Sequence, residues 1–381
     1  MGSFAALETG GQIYSLLHPT YEVLAWEPDP EIGWKLVPDL QFTWTGVDPY
    51  LKDFSASISV HPLGFRDLPE DELKSRGTTR VALLGDSFVE SLQVPIDQTA
   101  GRLLEGKLNA PLQRRESPER FEVLNFGISS HGLGQSYLTW ETYGRPFSPD
   151  YVFVFLSSRS LERTVDPYES GAFPPTRQKK LKVRPVFRLE EGKLILEPAR
   201  DFQAFVETQT EVIRTEFGSR GRLRRRKGIF LKWAAAQALR WGEGNLLPFW
   251  RRARQNFFSS RNPSILHAPL TRSSLDPTVL EVNLSVLEQW GKEIKEAGGK
   301  LVLVDALSYG TSSPVSSASK LFRRLAARNG WGYIPLADEL SEAERKGISV
   351  HWPHDGHFNQ AGNEIFAEAM HRWFAENLQW N

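Results

Sequence analysis

Five short apolar runs, strung between helical patterns, constrain this chain more than any other feature of its sequence. They are Arg80–Leu84 (RVALL), Phe121–Asn125 (FEVLN), Tyr151–Leu156 (YVFVFL), Lys300–Val304 (KLVLV) and Trp331–Pro335 (WGYIP), the last being the weakest. Near-continuous Val, Leu and Phe without polar alternation predicts parallel strands covered on both faces. Helical spacing over Thr99–Leu108, Leu133–Tyr143, Val279–Ala297 and Ser316–Asn329 fills the gaps, with Ser312, Ser313 and Pro314 as start signals for the last. Strand, helix, strand in this order predicts right-handed crossovers and an α/β, doubly wound parallel sheet of five strands.

Two regions fall outside the rhythm. Residues 1 to about 75 carry Pro-rich turns (EPDPEIGW, LVPDL, HPLGF) and short alternating stretches, expected to form a β-rich lead-in packed on the core. Residues 166–275 separate the third and fourth runs by far more than an ordinary connection of about 2–6 residues, and read as an inserted lid. Residues 76–165 and 276–381 would then form the core. At 381 residues, 40% apolar and 24% charged, the chain can bury one, and disordered, collagenous or coiled-coil architectures are excluded. No internal repeat is visible.

The absence of cysteine excludes disulfides, thiolate zinc sites, iron–sulfur clusters and a cysteine nucleophile. No run of 18 apolar residues exists, and Met1 to Glu27 has neither the basic nor the apolar region of a signal peptide. The opening Met1-Gly2-Ser3 is compatible with a scar replacing a removed N-terminal segment and equally with a native start. The first case favours a bacterial periplasmic or envelope location, the second a cytoplasmic one.

The chemistry concentrates in three places. Gly85-Asp86-Ser87 follows the first run, where a hydroxyl faces the ligand crevice at the carboxyl ends of an open sheet; the same residues also suit a helix cap. His354-Asp355-Gly356-His357-Phe358-Asn359 precedes an amphipathic pattern at Ile365, Phe366, Ala369, Met370, Trp373 and Phe374. A carboxylate two residues before an imidazole can orient it while the other ring nitrogen faces Ser87, which is the logic of nucleophile, base and orienter. After the second run comes Asn125-Phe126-Gly127-Ile128-Ser129-Ser130-His131-Gly132, where a glycine N–H can approach a developing oxyanion, or simply make a turn.

This arrangement resembles the SGNH (GDSL-type) hydrolase family over most of the chain outside 166–275. The lead-in, with Pro28-Asp29-Pro30-Glu31-Ile32-Gly33-Trp34, His61-Pro62-Leu63-Gly64-Phe65-Arg66-Asp67 and then VALLGDSFVE, is similar to that of envelope-associated bacterial members. The resemblance implies a three-layer α/β/α, flavodoxin-like fold, with Ser87 as nucleophile, His357 as base, Asp355 as orienter, and the N–H groups of Ser87 and Gly127 as oxyanion donors. It also implies an acylated small molecule or an O-acylated polysaccharide as substrate, with hydrolysis and acyl transfer both open, and no cofactor. One departure stands out: the family carries an Asn after the third strand, whereas Ser157-Ser158-Arg159-Ser160 stands here. One of those hydroxyls or the guanidinium would have to donate instead, or the protein would be a catalytically impaired binding module. Asp86, His131 and His354 are the other polar residues expected near the pocket.

His351, His354, Asp355 and His357 also offer the ligand types of a zinc site, but without the helical H-E-x-x-H spacing, and no metal is expected. Lys plus Arg equals Asp plus Glu at 46 each, which argues against a nucleic-acid binder. The balance is uneven, however. Residues 214–261 hold 13 Lys and Arg against Glu216 and Glu243, a local +11, with Trp233, Trp241, Trp250, Phe230, Phe249, Phe257 and Phe258 interleaved and a short helix expected over Ile229–Trp241. Such a segment suits an anionic membrane surface, and a lipid-directed esterase is the corresponding alternative; it suits an anionic glycan or a solvated lid as well, and least of all nucleic acid.

Overall fold

The computed structural model describes residues 25–45, 53–169, 182–207, 276–307, 309 and 317–378. The helical start signals at Ser312 to Pro314, the basic segment 214–261 and its expected helix lie outside these residues. In chain order the lead-in contributes two antiparallel hairpins, β1 (Trp26–Asp29) with β2 (Gly33–Leu36) and β3 (Gln41–Thr45) with β4 (Ser55–Ser59). The core follows with β5 (Thr78–Leu84), the single turn α1 (Ser87–Glu90), α2 (Ala100–Arg114), β6 (Arg120–Asn125), α3 (Leu133–Thr139), β7 (Tyr151–Leu156) and α4 (Ser158–Arg163). Next come two short antiparallel pairs, β8 (Tyr168–Glu169) with β9 (Lys182–Val183) and β10 (Val186–Glu190) with β11 (Lys193–Glu197). The chain closes with α5 (Pro277–Glu296), β12 (Lys300–Asp305), α6 (Ser317–Asn329), β13 (Gly332–Ile334), α7 (Leu336–Arg345) and α8 (Gln360–Asn377).

The five expected strands pair in parallel in the order β13-β12-β7-β5-β6. Counted along the core this is the 2-1-3-4-5 order of flavodoxin-like sheets, and its order reverses between β5 and β7, where such sheets open a ligand crevice. Because strand side chains alternate, one sheet feeds two cores. Ala82, Leu84, Val152, Val154, Leu301 and Leu303 pack with α3, α4, α5 and α6 on one face. Val81, Leu83, Phe153, Phe155, Val302 and Val304 pack with α2, α7 and α8 on the other. The doubly wound sheet expected from the runs, and the α/β/α layering that the resemblance implied, are the fold observed.

Three details differ from the sequence expectation. The helix begun at Leu133 is α-helical only to Thr139 and continues as a wider π turn over Trp140–Gly144. Ser158–Arg163, outside the helical patterns, is a short helix capped by Ser157, and α7 was not anticipated either. The described start of the insertion, β8 to β11 and the residues to 207, is packed on the body, with Arg184, Phe187 and Phe205 buried. No described helix is long and apolar enough to cross a membrane.

Candidate active site

The turn that carries Ser87 is built by close packing. A Cβ on Gly85 would lie 2.7 Å from Val89 Cγ2 and 2.9 Å from Phe155 Cβ, so glycine is what lets α1 fold back onto the sheet end. The buried Asp86 caps that turn by accepting from the Phe88 N–H at 3.1 Å, and it also accepts from Ser157 Oγ at 2.8 Å. Asp86 is thus a support under Ser87. The Ser87 N–H has no hydrogen-bond partner among the described residues.

The histidine arrives on the loop before α8. Gly356 has φ +82°, a conformation that glycine adopts without strain, and this turn folds Asp355 back onto the residue two positions on. His357 Nδ1 lies 2.5 Å from Asp355 Oδ1, and His357 Nε2 lies 2.8 Å from Ser87 Oγ. A carboxylate only accepts, so Nδ1 carries the proton and the Nε2 lone pair faces the serine hydroxyl. Phe88 packs on the imidazole with ring centroids 5.2 Å apart. Asn359 caps α8 through the Gly362 N–H, and the buried Asn363 accepts from Ser91 Oγ and the Ala100 N–H, tying that helix to the Ser87 side.

Burial disfavours the imidazolium of His357, but the Asp355 charge and hydrogen bond, with Asp86 and Glu90 behind them, outweigh it and hold the pKa above the ordinary 6.5. A base works only when neutral, so if His357 is the base, activity would be lost as pH falls through this raised value. The acidic limb of kcat/KM against pH is accordingly expected above 6.5; a profile whose limb lay at or below that value would contradict the assignment of His357 as base.

The lead-in holds both halves of this site. Arg66 of the HPLGFRD stretch is buried and donates to the carbonyls of Glu90, Ser91 and Val94, capping the end of α1. Trp34 of the PDPEIGW stretch donates to Ser129 O at 3.0 Å, and His131 Nε2 donates to Trp34 O at 2.9 Å. Glu90 is fully buried, and burial pushes its carboxyl up to about 7; it accepts from Trp26 Nε1 and from both the N–H and the hydroxyl of Ser129. Glu90 was not singled out from the sequence, although it lies three residues after Ser87 on the same side of the turn.

Several expected residues turn out to do other work. The Gly127 N–H, expected to face an oxyanion, donates to Asn125 Oδ1 at 2.9 Å. Its glycine is required for packing, since a Cβ there would lie 2.4 Å from Glu90 N and 2.7 Å from Val89 Cβ. The hydroxyls of Ser157 and Ser160 are likewise committed, to Asp86 Oδ2 and to Ser157 O, because they form the cap of α4. Ser158 is buried in the same turn, and Arg159 is exposed. His131 is buried with its pKa driven down to about 3, chiefly by desolvation, so it stays neutral. His354 is paired with Asp53, and His351 lies 3.3 Å from Tyr309 OH, so the histidines of this loop diverge and do not converge on a common point.

Behind Asp86 runs a chain of charges from the insertion. Arg163 lies 4.0 Å from Asp86 and 3.2 Å from Glu169, whose second partner is the buried Arg184 of the 182–186 segment. These arginines hold the Glu169 carboxyl down at about 2 against the opposing effect of burial.

No protein-family model and no curated protein matches the sequence. Among solved structures, the chain is similar to an α/β-hydrolase enzyme from the metagenome of Lake Arreo, Spain, at 11% identity, 81% of this chain, 99% of that one and a TM-score of 0.40. It is also similar to an acetylxylan esterase from Geobacillus stearothermophilus, at 11% identity, 80% of this chain, 98% of that one and a TM-score of 0.40. An acetyl xylan esterase gives 10% identity over 78% of this chain and 100% of that one, with a TM-score of 0.37. Likenesses this distant carry no argument about activity, which rests on the chain's own geometry.

Proposed function

We propose that this chain is a serine-dependent acyl-ester hydrolase or acyltransferase. The observation that carries the reading is the continuous relay of Ser87, His357 and Asp355, at 2.8 and 2.5 Å, at the order reversal of a parallel sheet. Ser87 Oγ attacks the acyl carbonyl carbon as its proton passes to His357 Nε2 and the carbonyl electron pair moves to oxygen. Collapse of that intermediate expels the alcohol, which takes the proton back from Nε2. Water or a sugar hydroxyl then resolves the acyl-enzyme by the same route. The Ser87 N–H is the donor free to meet the oxyanion. With the Gly127 N–H and the Ser157 and Ser160 hydroxyls engaged elsewhere, turnover is expected to be slow, since one missing donor costs about 10²–10³ in kcat.

The substrate we favour is an O-acylated carbohydrate, on the similarity of the lead-in motifs to those of envelope polysaccharide O-acetyl esterases and O-acetyltransferases. Release of acetate from an acetylated oligosaccharide and from a chromogenic acetyl ester tests this directly. Turnover of both would support it, turnover of the small ester alone would remove the carbohydrate, and turnover of neither would leave a binding module on the same fold.

The basic, aromatic stretch 214–261 supports a second element of the reading, docking on an anionic membrane surface. Each basic residue near such a surface contributes about 1 kcal/mol. Neutralising Arg222, Arg224, Arg225 and Arg226 is therefore expected to weaken co-sedimentation with vesicles containing anionic lipid by about three orders of magnitude. Absence of wild-type binding to those vesicles would discard the membrane and leave the glycan or the plain lid.

A further inference from the structure

We propose that Asp53, from the lead-in, is a positioning residue for the reaction at Ser87, acting on the base through His354. This rests on the reading of Ser87 as nucleophile. The Asp53 carboxylate closes a two-point contact on the histidine loop: it accepts from the His354 N–H at 2.7 Å through Oδ2, and its Oδ1 lies 2.7 Å from His354 Nδ1. Only 9% of the Asp53 side chain is exposed, against 35% of His354, so the carboxylate is held against the body while the imidazole it grips faces solvent. The next residue, Phe54, is buried and packs on Trp352 with ring centroids 5.7 Å apart, and β4 then begins, paired in register with β3. The anchor therefore leads directly into a paired strand.

What it anchors is the turn that sets the base. His354 immediately precedes the orienting Asp355 and is three residues before His357. Inside this loop the Trp352 N–H donates to His357 O and the Gly356 N–H donates to Trp352 O, which closes the turn on itself, while Phe88 packs on the imidazole at its far end. Asp53 and Phe54 hold the other side of the turn, at His354 and Trp352, from the far end of the chain. A displacement of the imidazole by about 1 Å is enough to cost about 10²-fold in rate.

The test measures kcat per active site, with sites counted by fluorophosphonate labelling. Asp53→Ala is expected to lower kcat per labelled site, and the labelling rate itself, by about ten- to a hundredfold with KM unchanged. A merely structural contact would reduce the number of labelled sites and leave the rate of each one intact. Asp53→Asn should restore most of the rate: its carbonyl oxygen can accept from the His354 N–H and its amide can donate to Nδ1 once that imidazole shifts its proton to Nε2. Wild-type kcat per site in Asp53→Ala, or an Asp53→Asn variant as slow as the alanine, would overturn the proposal. A wild-type protein that is not labelled at Ser87 would overturn the nucleophile reading instead, and this inference with it.

Discussion

Ser87→Ala is expected to lower kcat for an acetyl ester by about 10⁶, the loss seen when a triad nucleophile is removed and only the rest of the site remains. The reason lies in the division of labour at the site. Ser87 Oγ is the atom aligned with the unprotonated nitrogen of His357, and the nearby hydroxyls of Ser157 and Ser160 are locked into a helix cap with their protons already donated. Neither can substitute without dismantling α4. The fold should be unaffected, because the Ser87 side chain lies at the crevice and the turn beneath it is held by Asp86 and Arg66. Thermal unfolding of the variant alongside its kinetics checks this: an unchanged transition with lost turnover is the expected pair, and retained turnover would remove Ser87 from the mechanism.

Asp355→Asn is expected to cost about 10⁴ in kcat with little change in KM. An asparagine at this position can present an amide N–H to His357 Nδ1, which then must accept, so the ring proton moves to Nε2 and faces Ser87 from the wrong side of the exchange. Removing the carboxylate also removes the main influence that opposes burial at His357, so the residual activity should show its acidic limb at lower pH than the wild type. A loss confined to KM, or a limb that did not move, would indicate that Asp355 shapes the loop without orienting the base. The direction of the limb separates the electrostatic role from the structural one.

The core of the fold was legible because its strands are covered on both faces and so are apolar without alternation. Trp331–Pro335 was the least regular of the five runs, and only Gly332–Ile334 is strand. Helix α7 was not, since its apolar positions follow β13 directly with no polar loop to mark a boundary. Ser87, Asp355 and His357 could be read because each lies in a short contiguous motif whose local geometry the chain dictates.

The oxyanion donors could not. Whether the Gly127 N–H faces the crevice depends on the Asn125 side chain, and nothing in the order of residues says that this amide would claim it. Asp53 and His354 lie 301 residues apart, and the buried pairing of Arg184 with Glu169 crosses a segment that read as a separate lid. The charge division had the opposite character: it was plain in the sequence, where 13 Lys and Arg stand against Glu216 and Glu243 over residues 214–261, outside the described residues.

The central claim is that Ser87 carries the acyl group. Intact-mass and peptide mass spectrometry after brief exposure to a fluorophosphonate tests it most directly. The account predicts a single adduct on the peptide containing Ser87, absent in Ser87→Ala and markedly slowed in Asp355→Asn. An unmodified wild-type protein, or an adduct that persists in Ser87→Ala, would contradict it.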